Sequence, residues 1–140
     1  MSRRVLLILN PTARAGRAAR EISGVRSRLE NAGCHVTLRE TAGRGHATVL
    51  AATAADAGEF EVIAAAGGDG TAREVCSGVL SSARPDQPVA IIPLGTGNDL
   101  AHVAGTDRRD AVHQFLARAH ATAGEEVERR DLQPLRGDLV

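Results

Sequence analysis

Glu61-Val62-Ile63-Ala64-Ala65-Ala66-Gly67-Gly68-Asp69-Gly70-Thr71 is the stretch that decides the fold. Residues 61–66 run into an unbroken apolar segment, the pattern of a strand covered on both faces. The segment passes straight into glycines, and residues 71–80 then read as a helix with Val75, Val79 and Leu80 apolar. Strand, glycine turn and helix in this order predict a parallel sheet. Glycines let the backbone approach a ligand closely. The first N–H groups of the next helix point out of its start, where the helix dipole favours an anion. A phosphate chain suits such a turn, and Thr71 can either cap the helix or bond a phosphate oxygen. Asp69 would repel phosphates unless a Mg²⁺ ion or ordered water lies between them. A plain tight turn with Asp69 as helix cap explains the same residues.

The same order recurs on both sides. Residues 5–9 are a continuous aliphatic strand and residues 10–16 a turn. Residues 17–31 then carry Ile22, Val25 and Leu29 at helical spacing, with Gly33 as a stop. Residues 35–38 form a second short strand and residues 41–45 a loop. Residues 46–57 form an Ala-rich helix ended by Gly58. Residues 89–92 are a fourth strand, followed by Pro93-Leu94-Gly95-Thr96-Gly97-Asn98-Asp99. Residues 99–103 are compatible with the start of a short helix. Residues 107–121 make an amphipathic helix with Ala111, Val112, Phe115, Leu116 and Ala119 on one side, and Asp107 can cap it. Residues 125–132 suit a further, more polar strand.

The expected fold is α/β, a mostly parallel sheet flanked by helices on both faces. Ligands of such sheets bind beyond the carboxyl ends of the strands. The turns after strands one, three and four should therefore converge on one crevice. Those turns hold Asn10-Pro11-Thr12, the Gly67 motif and the Gly95 motif. Two polar glycine loops at one sheet edge argue against both being mere turns. Asn10-Pro11 reads equally well as an ordinary turn. Arg14, Arg17 and Arg44 lie on or near these loops and can neutralise phosphates, although each is as ordinary a surface residue. The five histidines, His35, His46, His102, His113 and His120, show no metal spacing and suit surface or structural roles.

Composition narrows the chemistry. All 17 basic residues are Arg, and they balance 17 acidic ones. That balance does not resemble a nucleic-acid binder. The absence of Lys removes the Walker A loop, the protein-kinase strand lysine and Schiff-base catalysis. The aromatics are Phe60 and Phe115 alone, so the core must be aliphatic. Cys34 and Cys76 carry no metal or CxxC spacing, which suits two reduced thiols in a cytoplasmic protein. No apolar run approaches the ~20 residues a membrane span needs. The first apolar run is stopped by Asn10-Pro11 too soon for a signal peptide.

Taken together, Asn10-Pro11, Thr41, Gly67-Gly68-Asp69-Gly70-Thr71 with Glu74-Val75, and Pro93-Leu94-Gly95-Thr96-Gly97-Asn98-Asp99-Leu100-Ala101 resemble the diacylglycerol kinase catalytic domain. The similarity covers essentially the whole chain. The Gly67 motif is shared with NAD kinases and phosphofructokinase-like enzymes; the Gly95 motif discriminates against them. The resemblance implies ATP and Mg²⁺ as cofactors and transfer of the γ-phosphoryl group to a lipid hydroxyl, with diacylglycerol as the expected acceptor. It implies ATP contacts from Asn10, Pro11, Thr12, Thr41, Gly67, Gly68, Asp69, Gly70, Thr71, Ala72, Arg73, Gly95, Thr96, Gly97, Asn98 and Asp99. It assigns Asp69 a catalytic role in organising phosphates and metal, with no dedicated protein metal site.

Kinases of this family have two lobes, and the second, largely β lobe supplies the acceptor site. The expected organisation is an ATP-binding lobe over residues 1–132, with residues 133–140 as the start of that second lobe. On this reading the chain is half an enzyme, inactive alone, with peripheral membrane contact and self-association as further expectations. The competing reading is a nucleotide-binding or regulatory module without turnover, and a third is an NAD kinase-like enzyme.

Overall fold

The computed structural model describes residues 3–13 and 16–93. Seven elements alternate along them: β1 (Arg3–Leu9), α1 (Arg17–Asn31), β2 (Cys34–Glu40), α2 (His46–Ala57), β3 (Val62–Gly67), α3 (Asp69–Ser81) and β4 (Val89–Pro93). The strands form one parallel sheet in the order β2-β1-β3-β4. The expected α/β architecture is therefore present. Chain order reverses between β1 and β3: β2 lies on one side of β1, while β3 and β4 lie on the other.

The two central strands explain the aliphatic runs. Val5 to Leu9 are all at most 2 % exposed, and so are Ile63 to Ala66. Alternation sends their side chains to opposite faces. Val5, Leu7 and Leu9 join Val62, Ala64 and Ala66 beneath Ala18, Ile22 and Leu29 of α1. Leu6 and Ile8 join Ile63 and Ala65 beneath α2 and α3, against Ala47, Ala51, Val75 and Val79. Helices thus cover both faces. The small alanines of β3 stand in register beside the larger side chains of β1, as in Leu7↔Ala64 and Ile8↔Ala65.

The element ends differ from expectation in instructive ways. β2 extends over Cys34–Glu40, longer than 35–38, because its whole length pairs with β1 from Arg3↔Cys34 to Leu9↔Glu40. β3 starts at Val62, where its pairing with β1 begins at Val5↔Val62, and Glu61 just before it is bonded to Arg4. The Glu61 N–H donates to the Arg4 carbonyl at 2.9 Å. Its carboxylate accepts from the Arg4 N–H at 2.6 Å and from the Arg4 guanidinium at 3.1 and 3.3 Å. α3 begins at Asp69, two residues early, with Gly68 in the cap position. Neither Asp69 nor Thr71 is the cap; both lie in the first turn. Segments 99–103, 107–121 and 125–132 lie outside the described residues.

The Arg4–Glu61 contact gives a testable pH dependence. Burial pushes the Glu61 carboxyl up, but the side-chain and backbone hydrogen bonds from Arg4 outweigh it and hold the group below its ordinary 4.5. A carboxyl whose folded pKa is depressed contributes stability above the unfolded value and loses it as pH falls through the folded one. Glu61→Gln should therefore lower the unfolding midpoint at neutral pH, and the gap to wild type should close as pH drops below 4.5. Thermal melts of both proteins across acid pH check this; a constant gap would contradict it.

Candidate functional site

A cavity of about 280 Å³ opens at the carboxyl ends of β1, β2 and β3. Asn10 and Thr12 line it from the turn after β1, and Thr41, Ala42, Gly43 and Arg44 from the loop after β2. Gly70, Thr71 and Glu74 line it from α3. This is the point where chain order reverses, the place where open α/β sheets form ligand crevices.

Asn10 serves its turn with one half of its amide. Oδ1 accepts the Thr12 N–H at 3.1 Å and the Thr12 hydroxyl at 2.8 Å. With Oδ1 fixed by those two donors, Nδ2 is the amide's remaining donor, and it has no partner among the described residues. The Asn10 N–H reaches the Ala66 carbonyl at 3.1 Å, which ties this turn to β3.

Gly67 is the last residue of β3, and its glycine identity is sterically required. A Cβ there would lie 2.7 Å from Thr71 Oγ1 and 3.4 Å from Asn10 Cβ. Thr71 is 6 % exposed, the one buried polar residue among those described. Its hydroxyl has no hydrogen-bond partner among the described residues. Buried polar groups are normally paired, so such a hydroxyl marks a place for a ligand or water. Ala72 is the first residue of α3 whose N–H reaches a carbonyl behind it, that of Gly68 at 3.1 Å. The preceding first-turn N–H groups of Gly70 and Thr71 belong to the positive end of the helix. Arg44 adds a cationic side chain to the same cavity.

Several predicted residues take other places. Pro11, Gly67, Gly68 and Asp69 sit at the strand ends and the helix start and are not among the residues that line the cavity. The Ala72 side chain packs into the core at 2 % exposure, so only its backbone is left to face a ligand. Arg73 is exposed on α3 and does not line the cavity. Gly95, Thr96, Gly97, Asn98 and Asp99 lie outside the described residues, as does Arg14. Arg17 is exposed at the start of α1. Ala42, Gly43 and Glu74 are lining residues that the sequence does not single out as ligands. Glu74 had a signal: three residues after Thr71, it must share a helix face with it.

The remaining titratable candidates stay outside the chemistry. Cys34 and Cys76 are free thiols on β2 and α3. Burial pushes both thiols above their ordinary 9.0, with Arg3 partly countering this for Cys34, so neither is an activated nucleophile. Among the described residues no three His, Cys, Asp or Glu side chains gather into a metal cage. Among them, too, no helix is long and apolar enough to cross a membrane.

A parallel α/β lobe with a polar crevice at its switch point is the class that fold and site define. The chain belongs to the diacylglycerol kinase catalytic domain family, whose model matches residues 4–131. It is 38 % identical over 109 residues to a diacylglycerol kinase of Bacillus subtilis, covering 77 % of this chain and 35 % of that protein. A diacylglycerol kinase of Staphylococcus aureus (strain MRSA252) is 38 % identical over 100 residues, covering 71 % and 31 %. Among solved structures, a diacylglycerol kinase from Bacillus anthracis superposes with a TM-score of 0.68 at 29 % identity, over 88 % of this chain and 40 % of that one. The chain thus spans about a third of the length of the curated relatives it matches.

Proposed function

We propose that this lobe binds ATP as the phosphoryl donor for a lipid hydroxyl, and that the acceptor is diacylglycerol, the substrate in the relatives' names. The observation that carries the donor half is the buried Thr71 hydroxyl at the start of α3, which has no partner among the described residues and lines a cavity shared with Arg44 and Asn10. Phosphoryl transfer asks the protein mainly for positioning and charge stabilisation. Three kinds of donor meet that need here: helix-start N–H groups, neutral side-chain donors and an arginine. They supply what a lysine supplies in a P-loop. Thr41, fixed by its N–H bond to the Leu9 carbonyl at 2.8 Å, adds a hydroxyl at the cavity wall.

In this reading a Mg²⁺ ion is held chiefly by nucleotide phosphates and water. Such an ion would neutralise charge on the transferred group, and Asp69, in the first turn of α3, is the carboxylate assigned to it. Gly95, Thr96, Gly97, Asn98 and Asp99 follow β4 in the sequence, β4 pairs with β3 at Gly67↔Pro93, and these five residues are assigned to the same nucleotide. Residues 1–132 make up the donor lobe in this reading. Residues 133–140 begin the acceptor lobe of the family, where contact with a membrane surface and choice of lipid would reside.

Calorimetry with ATP and Mg²⁺ should show saturable binding by the 140-residue chain. Radiolabelled ATP and diacylglycerol micelles should yield negligible phosphatidic acid with this chain alone. Binding without turnover is the outcome for a donor lobe; absence of binding would overturn the reading. Robust turnover would overturn the assignment of the acceptor site to the second lobe. Sizing chromatography at several concentrations tests self-association of the lobe.

A further inference from the structure

The loop of residues 41–45 is held by two side chains that bind no core and cap no helix of their own. Glu74 Oε1 accepts the Gly45 N–H at 2.7 Å, across from α3. His46 Nδ1 accepts the Ala42 N–H at 2.8 Å, from the first residue of α2. The two bonds grip the loop at both ends. Between them, the Gly43 carbonyl takes the His46 N–H at 3.2 Å, so the segment closes on itself as a tight turn. Gly45 enters α2 with φ +84, a conformation that glycine adopts without strain, and nothing lies near its missing Cβ. The loop is thus held by backbone bonds, from the Thr41 N–H to the Leu9 carbonyl and from the His46 N–H to the Gly43 carbonyl, together with the two side-chain acceptors.

Glu74 would be an odd residue in a phosphate-binding cavity if its charge faced the ligand. The geometry gives it a different task. A carboxylate accepting a backbone N–H makes a charge-assisted bond, stronger than a neutral one. We infer that Glu74 and His46 are positioning residues that keep the loop between β2 and α2 preformed, so that Thr41 and Arg44 meet the nucleotide without an ordering cost. This rests on the nucleotide reading of the cavity. Ordering a loop only on binding subtracts from affinity, and pre-organisation recovers it. His46 works through the nitrogen that lacks a proton, so the bond requires the tautomer with hydrogen on Nε2.

The test uses the 140-residue chain and two readouts. Amide hydrogen exchange by NMR follows the Gly45 and Ala42 N–H groups without nucleotide, and calorimetry follows ATP–Mg²⁺ affinity. Glu74→Ala should speed Gly45 exchange by about tenfold and weaken ATP by a similar factor, in line with loss of one charge-assisted bond. Glu74→Gln keeps an oxygen acceptor and should restore most of both. His46→Ala should release the Ala42 N–H and likewise weaken ATP. A merely structural role would lower the melting temperature and leave the slow, Gln-rescued Gly45 exchange unlinked to affinity. A wild-type chain that binds no ATP sinks the nucleotide reading and this inference with it. A wild-type chain that binds ATP, with Glu74→Ala unchanged in either readout, sinks the clamp alone.

Discussion

Gly78→Ala should lower the unfolding midpoint by about 10 °C, while Gly24→Ala should raise it slightly. Both glycines lie inside helices, where alanine normally adds up to about 1 kcal/mol of stability. Gly24, on α1, has nothing within 4 Å of its missing Cβ and follows that rule. Gly78, on α3, is where α3 crosses α2. A Cβ there would overlap the Thr48 carbonyl oxygen and lie 3.0 Å from Ala51 Cβ and 3.1 Å from the Ala52 nitrogen. These are backbone and short side-chain atoms that cannot swing away. Overpacking of this kind costs about 1–3 kcal/mol, and the helices must separate to relieve it. α2 and α3 together cover one face of the sheet, so the damage reaches Ala47, Ala51, Val75 and Val79. Equal melting shifts for the two substitutions would show that the close crossing is absent in solution.

Thr71→Val should separate binding from stability. Valine keeps the branched shape and its restricted rotamers in the helix, and removes only the hydroxyl. In the folded chain that hydroxyl is buried without a partner among the described residues. Losing it should leave the free protein's stability unchanged or raise it by up to about 1 kcal/mol. ATP affinity should fall about tenfold or more, because a donor reserved for the ligand is gone. The usual destabilised mutant loses both together. A Thr71→Val protein that melts lower and binds ATP normally would mean that the hydroxyl serves the fold.

Much of this was legible in the sequence because burial writes itself into composition. The runs of β1 and β3 are buried on both faces, so they appear as continuous apolar segments, and Ile22, Val25 and Leu29 betray the single buried stripe of α1. α1 and α2 begin and end where periodicity and glycines place them. β2 is half-polar and lies at one edge of the described sheet, so its ends were set by pairing with β1, which no local signal carries. The start of α3 depended on Gly68 taking an extended conformation, which the preference of Asp and Thr for cap positions conceals.

The candidate site was legible where it is made of backbone and loops. The Gly67 motif and Asn10 stand at strand ends, and strand ends locate themselves. The roles of Glu74 and His46 were not legible, since each depends on a partner brought near by tertiary packing. For Glu74 that partner, Gly45, is 29 residues away. Ala72 shows the converse: a motif residue next to Thr71 is turned into the core by helical geometry alone.

The central claim is that the nucleotide occupies the crevice between the β2–α2 loop and the start of α3. The most direct measurement is titration of ATP with Mg²⁺ into isotope-labelled chain, followed by amide NMR. The largest saturable shifts should fall on Gly70, Thr71 and the loop residues Thr41, Ala42, Gly43 and Arg44, with α1 and the Arg4–Glu61 end of the sheet unaffected. No saturable shifts, or shifts centred away from that crevice, would contradict the account.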